Sequence, residues 1–265
     1  MIIEFIGAPG AGKTTLLPAV AHFFETEAYR TYTVVQAARP FVRRTRSGKV
    51  VQRLTPAAWQ RPLLWRLFYL QSVAARLRFM ALHPQLIAQV MGSQRGRPAR
   101  ANVRQRAVLP WLFRHMGYYE FLRRHAQPDE VLLFDEGFVH RVVQLFTSSV
   151  EKPAPAAIAA YIALLPQPDL VIYVRAATAV CEQRIYERGL WPHAQQQTPV
   201  EISQFVQHAH EAAALAVAQA HRRKWQVLAV ANDGVDLTAV QADLWQQLHH
   251  IQLNSQPNWE VQTAS

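Results

Sequence analysis

Apolar residues fall along this chain in two kinds of run. Short unbroken stretches alternate with longer segments whose apolar positions recur every three or four residues. The first kind predicts strands buried on both faces, the second helices packed along one side. Ile2 to Ile6 predicts an opening strand. Lys13 to about Phe24 predicts a helix with Leu16, Leu17, Val20 and Phe23 at helical spacing. The β-branched run Thr31 to Gln36 predicts a second strand, and the basic stretch Arg39 to Arg53 a loop. Thr55-Pro56 has the form of a helix start. Helix is expected from there to about Met91, broken near His83-Pro84, and again from Val103 to His125, broken at Pro110, with a connector over Gly92 to Arg100. Further strands are expected at Val131–Phe134, Leu170–Val174 and Val227–Val230. Between and after them, helices are expected at Val139–Phe146, Ala154–Leu165, Ala177–Arg188, Val200–Lys224 and Leu237–Ile251.

Strands alternating with helices imply a parallel sheet covered on both faces, and ligands of such sheets sit at the carboxyl ends of the strands. Gly7, Asp135 and Arg175 each follow a strand, so they should converge on one crevice. Residues 1–251 read as one domain. Within it, 39–128 forms a basic helical insertion between strands 2 and 3, and a loop at 189–199 lies where it can close over the crevice; 252–265 reads as a flexible tail.

Composition narrows the classes. Half of the 265 residues are apolar, which excludes a disordered chain. The lone Cys181 excludes an internal disulfide, and together with an opening strand that no charged leader precedes it predicts a cytoplasmic protein. Charge is uneven. The net +10 hides a segment from Ala28 to Tyr119 that holds 17 of the 28 Lys and Arg and none of the 18 Asp and Glu. Such a segment either is a solvated arginine-rich face or attracts an anion: a phosphorylated small molecule, a nucleic acid or an acidic membrane surface.

Residues 7 to 14 read Gly-Ala-Pro-Gly-Ala-Gly-Lys-Thr, between a predicted strand and a predicted helix. This is the G-x-x-x-x-G-K-[ST] phosphate loop in its confirming context. Glycines let the backbone curl so that its amides face phosphate oxygens, and the helix adds its positive end. The expected nucleotide contacts are Gly7, Ala8, Pro9, Gly10, Ala11, Gly12, Lys13, Thr14 and Thr15, with ATP as the nucleotide. In this role Lys13 serves the β- and γ-phosphates, and the Thr14 hydroxyl is a ligand of Mg2+.

Val131-Leu132-Leu133-Phe134-Asp135-Glu136 is an apolar strand closed by two carboxylates, the layout in which the aspartate holds Mg2+. Asp135 is therefore the second expected metal residue. Glu136 is a candidate general base for a substrate hydroxyl or for water, the alternative being a cap on the following helix. Arg184 and Arg188, four apart on one helix face, are candidates for γ-phosphoryl contact ahead of the loop 189–199. Arg141, five residues past Glu136, is a candidate for orienting substrate, and Arg39, Arg43, Arg44 and Arg46 lie where acceptor-binding arginines would. His140 and Cys181 read as packed residues.

On the phosphate-loop residues, Asp135, and the run Pro168-Asp169-Leu170-Val171-Ile172-Tyr173-Val174 followed by Glu182, Arg184, Arg188 and Gly189, the chain resembles the thymidylate kinase and deoxynucleoside kinase branch of P-loop kinases. The resemblance covers roughly the first 36 residues and 129 to 251. It implies a three-layer α/β sandwich with a five-stranded parallel core, Mg2+-ATP, and an acceptor held between core and helical insertion. It also implies that Asn232, after the last strand, lies on the adenine side. Glu136 stands where those families usually carry an arginine, and residues 37 to 128 match no thymidylate pocket.

The resulting expectation is a phosphotransferase that moves the γ-phosphoryl of ATP to a small anionic or hydroxyl-bearing acceptor such as a nucleoside, nucleotide or sugar. The alternative is a P-loop NTPase or switch acting on a protein, nucleic acid or membrane-linked partner. Nucleic acid is not the expected partner, since no reading motif is visible. Peripheral membrane contact through the helices around Trp59 to Leu82 is left open, as is a homodimer.

Overall fold

The computed structural model describes residues 1–93, 99–190, 195, 197–234 and 236–251, and for 99–107 the backbone alone. Five strands form one all-parallel sheet: β1 (Ile2–Ile6), β2 (Arg30–Thr33), β3 (Glu130–Phe134), β4 (Leu170–Arg175) and β5 (Val227–Ala231). Their order is β2-β3-β1-β4-β5. The central strand β1 pairs with β3 from Ile2↔Leu132 to Glu4↔Phe134 and with β4 from Ile3↔Leu170 to Ile6↔Tyr173. β1 and β3 are buried at every position, as continuous apolar runs in a doubly covered sheet should be.

Helices cover both faces. α1 (Lys13–Thr26) and the closing helix α11 (Leu237–His250) pack together, joined by a hydrogen bond from the Trp245 indole to the Ala19 carbonyl at 3.0 Å. α8 (Pro155–Leu164) and α9 (Thr178–Arg188) pack on α10 (Pro199–Arg222), which lies against β4 and β5. Between β2 and β3 run α2 (Val34–Arg44), α3 (Arg46–Leu54), α4 (Ala57–Leu82), α5 (Pro84–Ser93) and α6 (Ala99–His125). α4 and α6 lie against each other, and α6 meets α7 (Arg141–Leu145).

The insertion departs from expectation at its start. The loop expected at 39–53 is two helices, and the strand expected to reach Gln36 stops at Thr33. The cause is a capping box. Thr33 Oγ1 accepts from the Gln36 amide at 3.4 Å, and Gln36 Oε1 accepts from the Thr33 amide at 2.8 Å. Two orphan donors are thereby satisfied, and Ala37, Ala38, Phe41 and Val42 are turned into the core. Thr45 caps α3 from one side only, its side chain accepting from the Gly48 amide at 3.1 Å. α6 runs on through Pro110, and α7 begins at Arg141 rather than Val139. Replacing Thr33 with Ala should cost about 1 kcal/mol in urea unfolding; an unchanged midpoint would show that α2 is held by packing alone.

The core follows the sheet. Phe5, Phe24, Phe41, Phe68, Phe79, Phe134 and Phe138 are all fully buried, so the insertion packs into the same core as the sheet instead of forming a second one.

Candidate active site

Because the sheet is parallel, the carboxyl ends of β1, β3, β4 and β5 lie along one edge, where Gly7, Asp135, Ala176 and Asn232 follow them. The loop from Gly7 to Gly12 rises from β1 and enters α1. Gly12 caps the helix at φ 96°, a left-handed conformation that disfavours any side chain, and a Cβ there would strike the Asn232 amide nitrogen. A Cβ on Gly10 (φ 82°) would run into the backbone of Cys181 at the start of α9. The loop is thus squeezed between β5's exit and α9, which fixes its curl. Among the described residues, no protein acceptor takes the amides of Gly10, Gly12, Lys13 or Thr14.

Lys13 is half-buried and donates to the carbonyls of Gly7 at 2.9 Å and Ala8 at 3.0 Å. Burial lowers its ammonium pKa to about 8 against the opposing pull of Glu136, Cys181 and Asp135; Arg188 adds to the lowering. A partly desolvated cation beside unsatisfied amides is stabilised by an anion. Thr14 and Thr15 are exposed in the first turn of α1.

Asp135 is half-buried at the end of β3, and its pKa is raised by burial first and by neighbouring Glu136 second, with Lys13 opposing. Two adjacent carboxylates, one partly desolvated, are stabilised by a cation. The residues therefore fit both halves of a metal–polyphosphate pair: an anion at the loop amides and Lys13, and a hard cation at Asp135 and the Thr14 hydroxyl. Among the described residues, no three His, Cys, Asp or Glu side chains come together as a metal site. A cation held here would accordingly complete its oxygen shell from phosphate and water.

Glu136 is half-exposed and receives Arg141 Nη1 at 3.2 Å and Gln144 Nε2 at 3.3 Å, both on Oε2. Arg141 is buried, and Gln144 Oε1 accepts a further bond from the same Nη1. Glu136 and Arg141, separate candidates in the sequence, are thus joined, and Gln144 was missed. Its position eight residues past Glu136 carries no signal until α7 folds it back.

Arg184 reaches back to the phosphate loop. Its Nη1 donates to the Gly10 carbonyl at 3.3 Å and the Asn232 carbonyl at 3.1 Å, tying the phosphate loop to the end of β5. Asn232 is buried and donates from Nδ2 to the Ala11 carbonyl at 2.8 Å, so it secures the loop from the same side. Arg188 is exposed at the end of α9 and close enough to Lys13 to repel its charge. Residues 191–194 and 196 of the loop expected over the site, the connector 94–98 and the expected tail 252–265 lie outside the described residues.

The group after β2 separates. Arg44 forms a two-pronged pair with buried Glu130, one contact at 2.7 Å, and donates to the His125 carbonyl at 3.0 Å. Glu130 begins β3, so Arg44 braces the edge of the sheet opposite the site. Arg39, Arg43 and Arg46 are exposed. Cys181 is buried and its thiol pKa is pushed up to about 11, first by burial, which removes it as a nucleophile.

Beneath the crevice lies a polar layer that the sequence reading passed over. Glu4, in the middle of β1, is buried and accepts from the Val139 amide at 2.7 Å. Burial raises its carboxyl pKa to about 7, opposed by the Val139 and Phe138 amides and by Arg141. Glycine at 137 leaves room for that carboxyl, which a Cβ would overlap. His115 and His140 are also buried, and burial holds both imidazoles neutral, with Arg141 adding to the effect on each. A signal for Glu4 existed: a single carboxylate inside a strand buried on both faces must find donors.

The fold and site together define an α/β protein with a five-stranded parallel sheet and a phosphate loop leading its first helix. No family model matches the sequence, and no curated protein matches it. Among solved structures the chain is similar to deoxyadenosine kinase from M. mycoides. With dATP bound, the likeness has 11% identity over 94% of this chain and all of that one, at a TM-score of 0.44. With dCTP bound it has 12% identity over 95% of this chain and all of that one, at 0.40. With the products dCMP and dCDP it has 14% identity over 95% of this chain and all of that one, at 0.42.

Proposed function

We propose that this protein is a phosphotransferase that moves the terminal phosphoryl group of ATP to a small acceptor carrying a hydroxyl or phosphate. The observation that carries this reading is the juxtaposition at the sheet edge: a half-buried Lys13 and open loop amides face Asp135 and Glu136 across the ends of neighbouring strands. The loop amides and Lys13 hold the polyphosphate, and Thr14 and Asp135 hold Mg2+. When bound, that cation neutralises charge on the phosphoryl oxygens. Arg184 and Asn232 keep the loop in its curl from behind. Glu136 has Oε1 without a protein donor among the described residues, while Arg141 and Gln144 steady Oε2. It is placed to accept the proton of an acceptor hydroxyl. Arg141, braced between Glu136 and Gln144, orients Glu136 and offers charge to an anionic acceptor.

The test follows the label of γ-labelled ATP across nucleosides, nucleotides and sugars. Label on one acceptor supports the proposal. Label released only as inorganic phosphate, at a rate no acceptor changes, makes the protein an NTPase instead. Glu136→Gln should lower kcat on the true acceptor about 10²-fold or more with nucleotide affinity unchanged. Equal loss of both would reduce Glu136 to a brace for Arg141.

A further inference from the structure

The acid-free segment is not spread evenly through the fold. Of the 15 exposed large apolar residues among those described, 11 lie between Val35 and Trp111, inside it. α4 concentrates them. Its buried side carries Leu64, Phe68, Ala75 and Phe79. Trp59, Arg66, Leu70 and Leu77, spaced seven, four and seven apart, therefore share the opposite side, and all four are exposed. A water-facing helix normally carries mixed charge there. This one carries tryptophan, leucine and arginine.

Beside that stripe a groove of about 540 Å³ runs between α4 and α6, lined by Tyr69, Arg76 and Met80 from one helix and Phe113, Arg114 and Tyr118 from the other. Among the described residues no acidic side chain lines it, and Ser72 Oγ in its wall is buried without a hydrogen-bond partner. Arg114 stacks on exposed Trp111, with the guanidinium carbon 5.0 Å from the ring centre. Among the described residues no carboxylate pairs with Arg61, Arg66, Arg76 or Arg114, whereas Arg30, Arg44 and Arg78 are paired.

We infer that the α4–α6 face docks on an anionic lipid bilayer surface. Charge complementarity selects this occupant. Two copies of the chain meeting here about a twofold axis would bring Arg66, Arg76 and Arg114 against the same arginines, and the segment holds no carboxylate to separate them. A nucleic acid would satisfy the arginines but leave Leu70 and Leu77 against water. An acidic bilayer satisfies both: leucine and tryptophan enter the headgroup boundary while arginines meet lipid phosphates. The contact is peripheral, since among the described residues no helix is long and apolar enough to cross a membrane. The nucleotide site takes no part in it.

The whole chain should float with vesicles of phosphatidylcholine mixed with phosphatidylglycerol, and not with phosphatidylcholine alone, and rising salt should release it. Each basic residue at a charged bilayer counts for about fivefold in partitioning, so Arg66→Ala with Arg76→Ala should weaken flotation at least about tenfold. Leu70→Ser with Leu77→Ser should weaken it comparably. All four side chains are exposed or half-buried, so circular dichroism and thermal unfolding should be unchanged. Failure to float with the anionic vesicles overturns the inference. Flotation that both double variants leave untouched does the same. A dimer in light scattering that Leu70→Ser with Leu77→Ser splits, without vesicle binding, would assign the face to a second copy and equally overturn it.

Discussion

Lys13→Ala should lower the rate of γ-phosphoryl transfer by about 10²- to 10³-fold while leaving the fold intact. The magnitude is that of removing one preorganised donor from a site where charge develops. The fold should survive because Lys13 is itself half-buried at the end of β1, so water can take the ammonium's place at the Gly7 and Ala8 carbonyls. Initial rates with labelled ATP, read beside a thermal melt of the variant, separate the two effects. Undiminished transfer by a folded variant would remove the basis for assigning nucleotide chemistry to this loop.

The second large effect belongs to Glu4 and concerns stability. Its carboxyl titrates near 7 in the native protein and near 4.5 in the unfolded chain. Between those values the native state holds a proton that the unfolded state has released. Stability from this group is therefore fully present below about 4.5 and is lost as pH rises to about 7. The span corresponds to on the order of 3 kcal/mol at a fully buried site. Glu4→Gln, which keeps an oxygen for the Val139 amide, removes the dependence. The gap between wild type and variant in urea unfolding should widen in the variant's favour across that window. A constant gap from pH 4.5 to 7 would show that Glu4 remains ionised in its buried setting. His115 and His140, neutral when buried, act in the opposite sense as pH falls below about 6.5, so only the difference between the two proteins isolates Glu4.

What could be read in the sequence divides by range of interaction. The five strands and the phosphate loop were legible because their signals are local: an apolar run, then residues whose backbone demands or chemistry announce themselves. The boundary at Thr33 was not, although a capping box is also local. There the β-branched run Thr31 to Val35 outweighed the Thr33 to Gln36 spacing, and a basic composition hid the apolar stripe of Ala37, Ala38, Phe41 and Val42. The site was legible in its members and less so in their partners. Glu136 and Arg141 were each marked by position, but their contact with one another was not foreseen. Arg184 was marked as a candidate for phosphate contact, and its contacts to the Gly10 and Asn232 carbonyls, residues 174 and 48 positions away, were not visible in the sequence. Arg44 was one of four equivalent candidates until the buried Glu130 distinguished it. No periodicity reports such distant partners.

The strand order has a dynamic corollary. β1 is bonded along both edges, while β2 and β5 are each bonded along one. Amide deuteration should accordingly proceed from the rim inward, with the outer strands exchanging through partial openings and β1 only when the molecule opens as a whole. The element on which the phosphate loop is mounted is then the last to loosen, so segmental breathing elsewhere leaves the base of the crevice in register.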